Sequence, residues 1–314
     1  MKNILVSAAI LPLFMATAQA AVIDNGTIQL GVDTFGQLNV AVPGDVIGLT
    51  DLRTGWEATS PGCLCEGWGV GIADTAENGS ANNAFGVSGL TAVSFVADGN
   101  SATSVTEMGT SLRITHKFAP TPETDDLYRV SVTIENISGA AVGDLRYRRV
   151  MDWDVEPTPF NEFVTIGGTA AATAVLFASN NGFASGNPLS GASDIGAVGD
   201  FIDYGPADHG ALFDFGFGSL AVAGIFSFDI FYGASLTEAG AFNALNAVGA
   251  EVYSLGQAND DVFGGGRDRS TFIFGFSGVG GEVVPPSTVP VPASALLLFG
   301  ALGMIGSLRL RRKG

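Results

Sequence analysis

The sequence has little cysteine, histidine or positive charge: 2 Cys, 2 His and 14 Lys plus Arg in 314 residues. Against 31 Asp plus Glu the net charge is −17, which removes the basic stripe that a DNA or RNA surface needs, so no nucleic acid is expected as a partner. No Lys or Arg occurs between Arg149 and Arg267. A tetrahedral zinc site built on the two cysteines would need two more ligands, and beside carboxylates only His116 and His209 could supply nitrogen. The chain contains no Gly-x-Ser-x-Gly elbow, His-Glu-x-x-His pair or Walker loop, so the common hydrolase, zinc-protease and nucleotide-binding signatures are missing. No repeat of about 20–50 residues is visible, which disfavours a solenoid or propeller.

What is present is apolar material. A hydrophobic content of 46% with only 14% charged residues excludes a disordered or collagen-like chain. Period-two alternation dominates. Leu112, Ile114, His116 and Phe118 alternate with Arg113, Thr115 and Lys117; Tyr128, Val130, Val132 and Ile134 alternate with Arg129, Ser131, Thr133 and Glu135; Phe213, Phe215 and Phe217 repeat the rhythm. Further strands are expected at 28–32, 37–40, 91–97, 226–232 and 271–277. The 44 glycines, with Asn and Asp, supply the turns. The expected fold class is all-β, an antiparallel β-sandwich, with one short helix near 235–252. There Ala241, Leu245, Val248 and Val252 follow helical spacing, and Ser235 with Glu238 would form a capping box.

The two ends differ from this body. Lys2, an apolar run from Ile4 to Met15 and Ala18-Gln19-Ala20 have the layout of a secretory signal peptide over 1–20, with cleavage expected between Ala20 and Ala21 by a signal peptidase of the secretion machinery. The β-sandwich body is expected over 21–277, followed by a Gly/Pro-rich linker over 278–290. Residues 292–308 then form an uncharged stretch of 17 residues, roughly 25 Å as a helix, enough for a short membrane span. Arg309, Arg311, Arg312 and Lys313 follow and should remain cytoplasmic, placing the body outside.

The motif Val289-Pro290-Val291-Pro292-Ala293-Ser294, the Leu/Gly-rich span and the terminal basic cluster together resemble the tripartite PEP-CTERM sorting signal read by exosortase-type enzymes. The resemblance covers 289–313. Val291 stands where the usual motif has Glu, closer to the Val-Pro-Leu-Pro-Ala variant. It implies an exported bacterial protein, held first in the inner membrane, cleaved near the motif by an exosortase-type partner, and sorted to the cell surface or extracellular exopolysaccharide matrix.

Three stretches carry candidate chemistry. Cys63 and Cys65 in Pro61-Gly62-Cys63-Leu64-Cys65 sit on opposite faces of an extended chain, so a local disulfide needs a tight turn. A thiol-ligated metal or redox site, and inert or intermolecularly paired thiols, are the other readings. In the strand Asp144–Glu156, Leu145, Tyr147, Met151, Trp153 and Val155 share one face, while Arg146, Arg148, Asp152, Asp154 and Glu156 share the other. Asp152, Asp154 and Glu156, about 7 Å apart along the strand, would bind Ca²⁺ or a glycan, or act as a glycosidase acid pair. The plainer reading is an ion-paired solvent face in which Arg146 and Arg148 answer acids on a neighbouring strand. His209 lies in a turn-like run, Gly205-Pro206-Ala207-Asp208-His209-Gly210, and reads as an exposed turn histidine. Asn259-Asp260-Asp261 and the run from Gly264 to Asp268 miss the calcium-loop spacings and read as a long surface loop.

The leading expectation is a non-enzymatic structural or adhesive protein of the cell surface or matrix, with no catalytic residue, resident metal or cofactor. The competing one is a carbohydrate-binding or carbohydrate-active β-sandwich, motivated by the acidic row and by Trp56, Trp68 and Trp153.

Overall fold

A computed structural model describes residues 19–191, 193–259 and 270–287. Most of the signal peptide, the sorting motif, the span, the basic end and the run 260–269 lie outside these residues. Among the described residues no helix is long and apolar enough to cross a membrane.

The alternating segments form strands. In chain order these are β1 (Ala20–Asp24), β2 (Ile28–Asp33), β3 (Val40–Val42), β4 (Asp45–Ile47), β5 (Leu49–Asp51), β6 (Trp56–Glu57), β7 (Gly67–Ile72), β8 (Glu77–Asn82) and β9 (Gly86–Ser88). Then come β10 (Thr91–Ala97), β11 (Ala102–Met108), β12 (Leu112–Pro120), β13 (Leu127–Asn136), β14 (Val142–Trp153) and β15 (Glu162–Gly167). The remainder is β16 (Val175–Ser179), β17 (Phe201–Ala207), β18 (His209–Leu220), β19 (Ile225–Ser235), α1 (Glu238–Ala247), β20 (Val252–Ala258) and β21 (Thr271–Ser277).

Two sheets dominate: a nine-stranded one, ordered β10-β11-β12-β13-β19-β21-β20-β15-β17, and a six-stranded one, ordered β16-β18-β14-β7-β8-β9. A four-stranded sheet β1-β2-β5-β6 and the hairpin β3-β4 complete an antiparallel, sandwich-like, all-β body. Rings meet between the large sheets, Tyr147 on Phe228, Phe213 on Phe274 and Phe215 on Phe276, with centroids 5.0, 5.7 and 4.9 Å apart. That spacing suits tilted and edge-on aromatic packing, which adds to the apolar burial holding the sheets together.

Two expected boundaries differ. The strand expected at 37–40 is not continuous: Asn39 has φ +75°, Leu38 makes one isolated bridge to Val32, and only Val40 enters β3. Helix α1 is shorter than 235–252, because Ser235 stays in β19 opposite Thr271 and Val252 opens β20. Its N-cap is Thr237, whose hydroxyl accepts the Gly240 N–H at 3.0 Å, rather than Ser235. Ala241, Leu245 and Val248 are nevertheless buried, packing with Leu127, Phe231 and Ile273 on the face of the nine-stranded sheet away from the six-stranded one.

Candidate acidic site at the end of β14

β14 lies between β18 and β7, and from Arg148 onward it is buried on both faces. The solvent face expected for Arg148, Asp152 and Asp154 is therefore absent: they are 1%, 2% and 0% exposed. The cover comes from chain remote in sequence. Arg148 grips Asp214 on β18 with Nε and Nη2 at 2.6 and 2.8 Å, and its Nη1 donates to Ser185 O and Ser190 Oγ, each at 2.9 Å. Arg146, by contrast, pairs with Asp144 on its own strand.

The register of β14 on β18 assembles the acids. Asp152 stands opposite Gly210 and Trp153 opposite His209, so one step further sets Asp154 against Asp208. One carboxyl oxygen from each of Asp152, Asp154 and Asp208 lies within 4.8 Å of the other two. Like charges so placed repel. Glu156 is not part of this group: the strand ends at Trp153, and Glu156 Oε2 instead accepts the Glu57 N–H at 3.0 Å. Asp208 takes its place, with Glu162 near enough to feel the charges of Asp152 and Asp154, which the sequence did not signal because the two come from just after β17 and the start of β15.

Burial, followed by repulsion from Asp154 and Asp208, pushes Asp152 up to about 8. Asp154 is raised to about 7 by burial and then Asp208, with the Gly62 amide pulling the other way. Glu162 is raised to about 9, mainly by burial, although the His209 and Asn161 amides donate to it at 3.2 and 2.9 Å. Asp208, which is exposed, is also raised by desolvation.

His209 is not an exposed turn residue but the buried first residue of β18. Asn180 Nδ2 approaches its Nδ1 at 3.2 Å, and its Nε2 lies 3.1 Å from Glu162 O. An amide nitrogen can only donate and a carbonyl only accept, so the ring is neutral with its proton on Nε2. Burial lowers its pKa in the same direction.

Cys63 and Cys65 form a disulfide, with Cα atoms 5.1 Å apart. The required turn is supplied by Leu64 at φ +48°. Cys63 Sγ lies 3.1 Å from Asp152 Oδ2, and a disulfide sulfur has no proton to offer that oxygen. Asp152 Oδ1 has no hydrogen-bond partner, and neither oxygen of Asp154 makes a well-formed hydrogen bond, the Gly62 amide only coming near. The backbone closes around them: a Cβ on Gly62 would sit 2.2 Å from Asp154 Oδ2, and one on Gly182 would sit 2.7 Å from Asp152 Oδ1.

A second buried charge pair, unrelated to this site, lies in the core. Arg149 falls on the apolar face with Tyr147 and Met151, fully buried, and pairs with the fully buried Glu66. Glu66 also accepts the Leu38 N–H at 2.7 Å and the Tyr232 hydroxyl at 3.1 Å.

The geometry bears on the carbohydrate reading. A glycosidase pair stands about 5–5.5 Å or 6.5–9.5 Å apart across a sugar-sized groove. Clefts of about 480 and 600 Å³ are lined instead by residues such as Asp33, Phe35 and Val93, or Asp45, Glu57 and Glu156. Trp68 and Trp153 are fully buried, donating to Phe35 O at 2.8 Å and Ser254 Oγ at 3.0 Å, so neither offers a ring to a glycan. No protein-family model matches the chain, and no curated protein matches it.

Proposed function

We propose that this is an exported protein of the cell surface or exopolysaccharide matrix, structural or adhesive in role, with no reaction of its own. The reading is carried by the tail: a Pro-flanked motif at Val289–Ser294, an uncharged run over 292–308 and a basic end, behind a body preceded by a secretory leader. The Cys63–Cys65 disulfide supports it, because such bonds persist in oxidising compartments outside the cytosol. The acidic balance supports it as well, keeping a matrix protein soluble at high local concentration. In this reading the span is N-out and C-in, the Pro-rich approach is presented to an exosortase-type enzyme, and the basic end stops translocation. The body, a rigid β framework, is what remains after processing.

Intact-mass analysis of protein extracted from the cell surface tests this. The expected termini are Ala21 and a residue within or just before Val289–Ser294. A species retaining Leu308 and the basic end would instead be a permanently anchored protein, and a cytosolic species beginning at Met1 would overturn export.

A further inference from the structure

We infer that Asp152, Asp154 and Asp208 form a binding site for one hard divalent cation of the Ca²⁺ class, open to solvent at Asp208. The inference goes beyond the surface-protein reading and does not depend on it. It rests first on the under-partnered oxygens. Asp154 is 0% exposed and makes no well-formed hydrogen bond, only the Gly62 amide coming near it; Asp152 is 2% exposed, with one oxygen unpartnered and the other against a disulfide sulfur. Buried polar atoms in native proteins nearly always find a partner, so two buried, under-partnered carboxylates set beside a third mark a missing positive species. Among the described residues no Lys or Arg forms an ion pair with any of the three acids; the nearby Arg148 is committed to Asp214 and Arg149 to Glu66.

The spacing fits such an ion. Oxygens bound to one Ca²⁺ at about 2.3–2.6 Å can be no more than about 4.6–5.2 Å apart. One carboxyl oxygen from each of these residues lies within 4.8 Å of the other two. Oxygen-only donors favour a hard cation over zinc or copper. The nearest sulfurs are locked in the disulfide and cannot ligate as thiolates. Three carboxylates fall short of the six to eight oxygens that Ca²⁺ takes, and water entering beside Asp208 completes the shell. Mg²⁺, which demands near-ideal octahedral geometry, is less suited to acids fixed by two strand ends and a glycine loop.

The test is calorimetric titration of the full-length chain in detergent with CaCl₂, MgCl₂ and ZnCl₂, with NaCl at matched ionic strength as the control. The expected result is one Ca²⁺ per chain with a dissociation constant on the order of 10⁻⁴ M, as in extracellular calcium modules. Asp208→Asn, at an exposed position, should weaken Ca²⁺ at least tenfold. Asp45→Asn, an exposed acid outside the cluster, should leave it unchanged. Asp154→Asn should abolish binding while leaving the ion-free melting temperature equal to or above that of the parent, since it deletes an unpartnered buried charge. The inference is overturned by no saturable Ca²⁺ binding up to 10 mM, by equal affinity in Asp208→Asn, by binding that tracks ionic strength alone, or by zinc binding that appears only after the disulfide is reduced.

Discussion

Replacing Glu66 by Gln preserves its shape and removes its charge, leaving Arg149 alone in the core. Both residues are 0% exposed. After the change the guanidinium keeps the Gly36 carbonyl at 3.2 Å, the face of Tyr232 at 5.5 Å, Tyr147 and the neutral Gln amide oxygen, none of which carries a balancing charge. Two of its nitrogens, Nε and Nη1, already make no well-formed hydrogen bond. Removing one member of a buried ion pair costs about 3–5 kcal/mol, because the remaining charge stays desolvated. For a body of this size that corresponds to a melting temperature lower by about 6–20 °C. Removing both charges, as Glu66→Leu with Arg149→Met, is different in kind. An apolar pair in place of a buried ion pair is neutral or stabilising by about 1–4 kcal/mol, whereas the Leu38 N–H and Tyr232 hydroxyl each lose an acceptor at about 1–3 kcal/mol. These oppose one another: mid-range values of about 2.5 kcal/mol gained and about 4 lost leave the double variant about 1.5 kcal/mol below the parent, and more stable than Glu66→Gln. Thermal and guanidinium unfolding of parent, Glu66→Gln, Arg149→Met and the double variant measure this. A shift under about 3 °C for Glu66→Gln, or a double variant as unstable as the two singles added together, would refute the reasoning.

Two further predictions follow from other buried groups. Asp33 is raised to about 6, chiefly by burial and against hydrogen bonds from the Gln37 and Phe35 amides. The folded state thus holds a proton that the unfolded chain releases near pH 4, so this group's stabilising share is present below pH 4 and lost as pH rises to about 6. Asp33→Asn should abolish that share, so its melting temperature should gain on the parent's between pH 4 and 6; a constant difference across that range would count against it. The Cys63–Cys65 bond closes a minimal loop and restrains little of the unfolded chain. Replacing both cysteines by Ala should therefore cost no more than about 2 kcal/mol. A loss of 4 kcal/mol or more by guanidinium unfolding would mean that the 63–65 turn has another structural role.

The all-β character was legible because period-two runs such as Leu112–Phe118 and Tyr128–Glu135 became β12 and β13 with their apolar residues inward. Alternation says which residues share a face, but not how many layers cover the strand. Asp152 and Asp154 do share one face of β14, yet that face is roofed by the 59–66 segment, by Gly182 and by the start of β18, so the expected solvent row is a buried cluster. Arg149 interrupts the apolar face of the same strand, and its partner Glu66 could not be foreseen from β14 alone. Asp208 was visible only as a turn residue beside His209. Its place opposite Asp154 depends on a strand pairing that joins positions more than fifty residues apart. Ser235 failed as a cap for a simpler reason: pairing with Thr271 keeps it in β19, and the next hydroxyl, Thr237, takes over.

The position of β21 has a consequence in time. Among the described residues it is the last strand in chain order but the sixth of nine in the large sheet, seated between β19 and β20. Its Phe272, Phe274 and Phe276 are fully buried, and the last two meet Phe213, Phe215 and Tyr232. A chain emerging from its N-terminus cannot close this core until residue 277 has appeared. At about 5–20 residues per second, the strands that carry those rings wait about 2–13 s with their aromatic faces uncovered. Pairings this distant in sequence are also slow to form once all the parts are present. Completion is thus tied to the stretch next to the tail, and a body interrupted before Thr271 lacks a strand from its middle rather than from its edge.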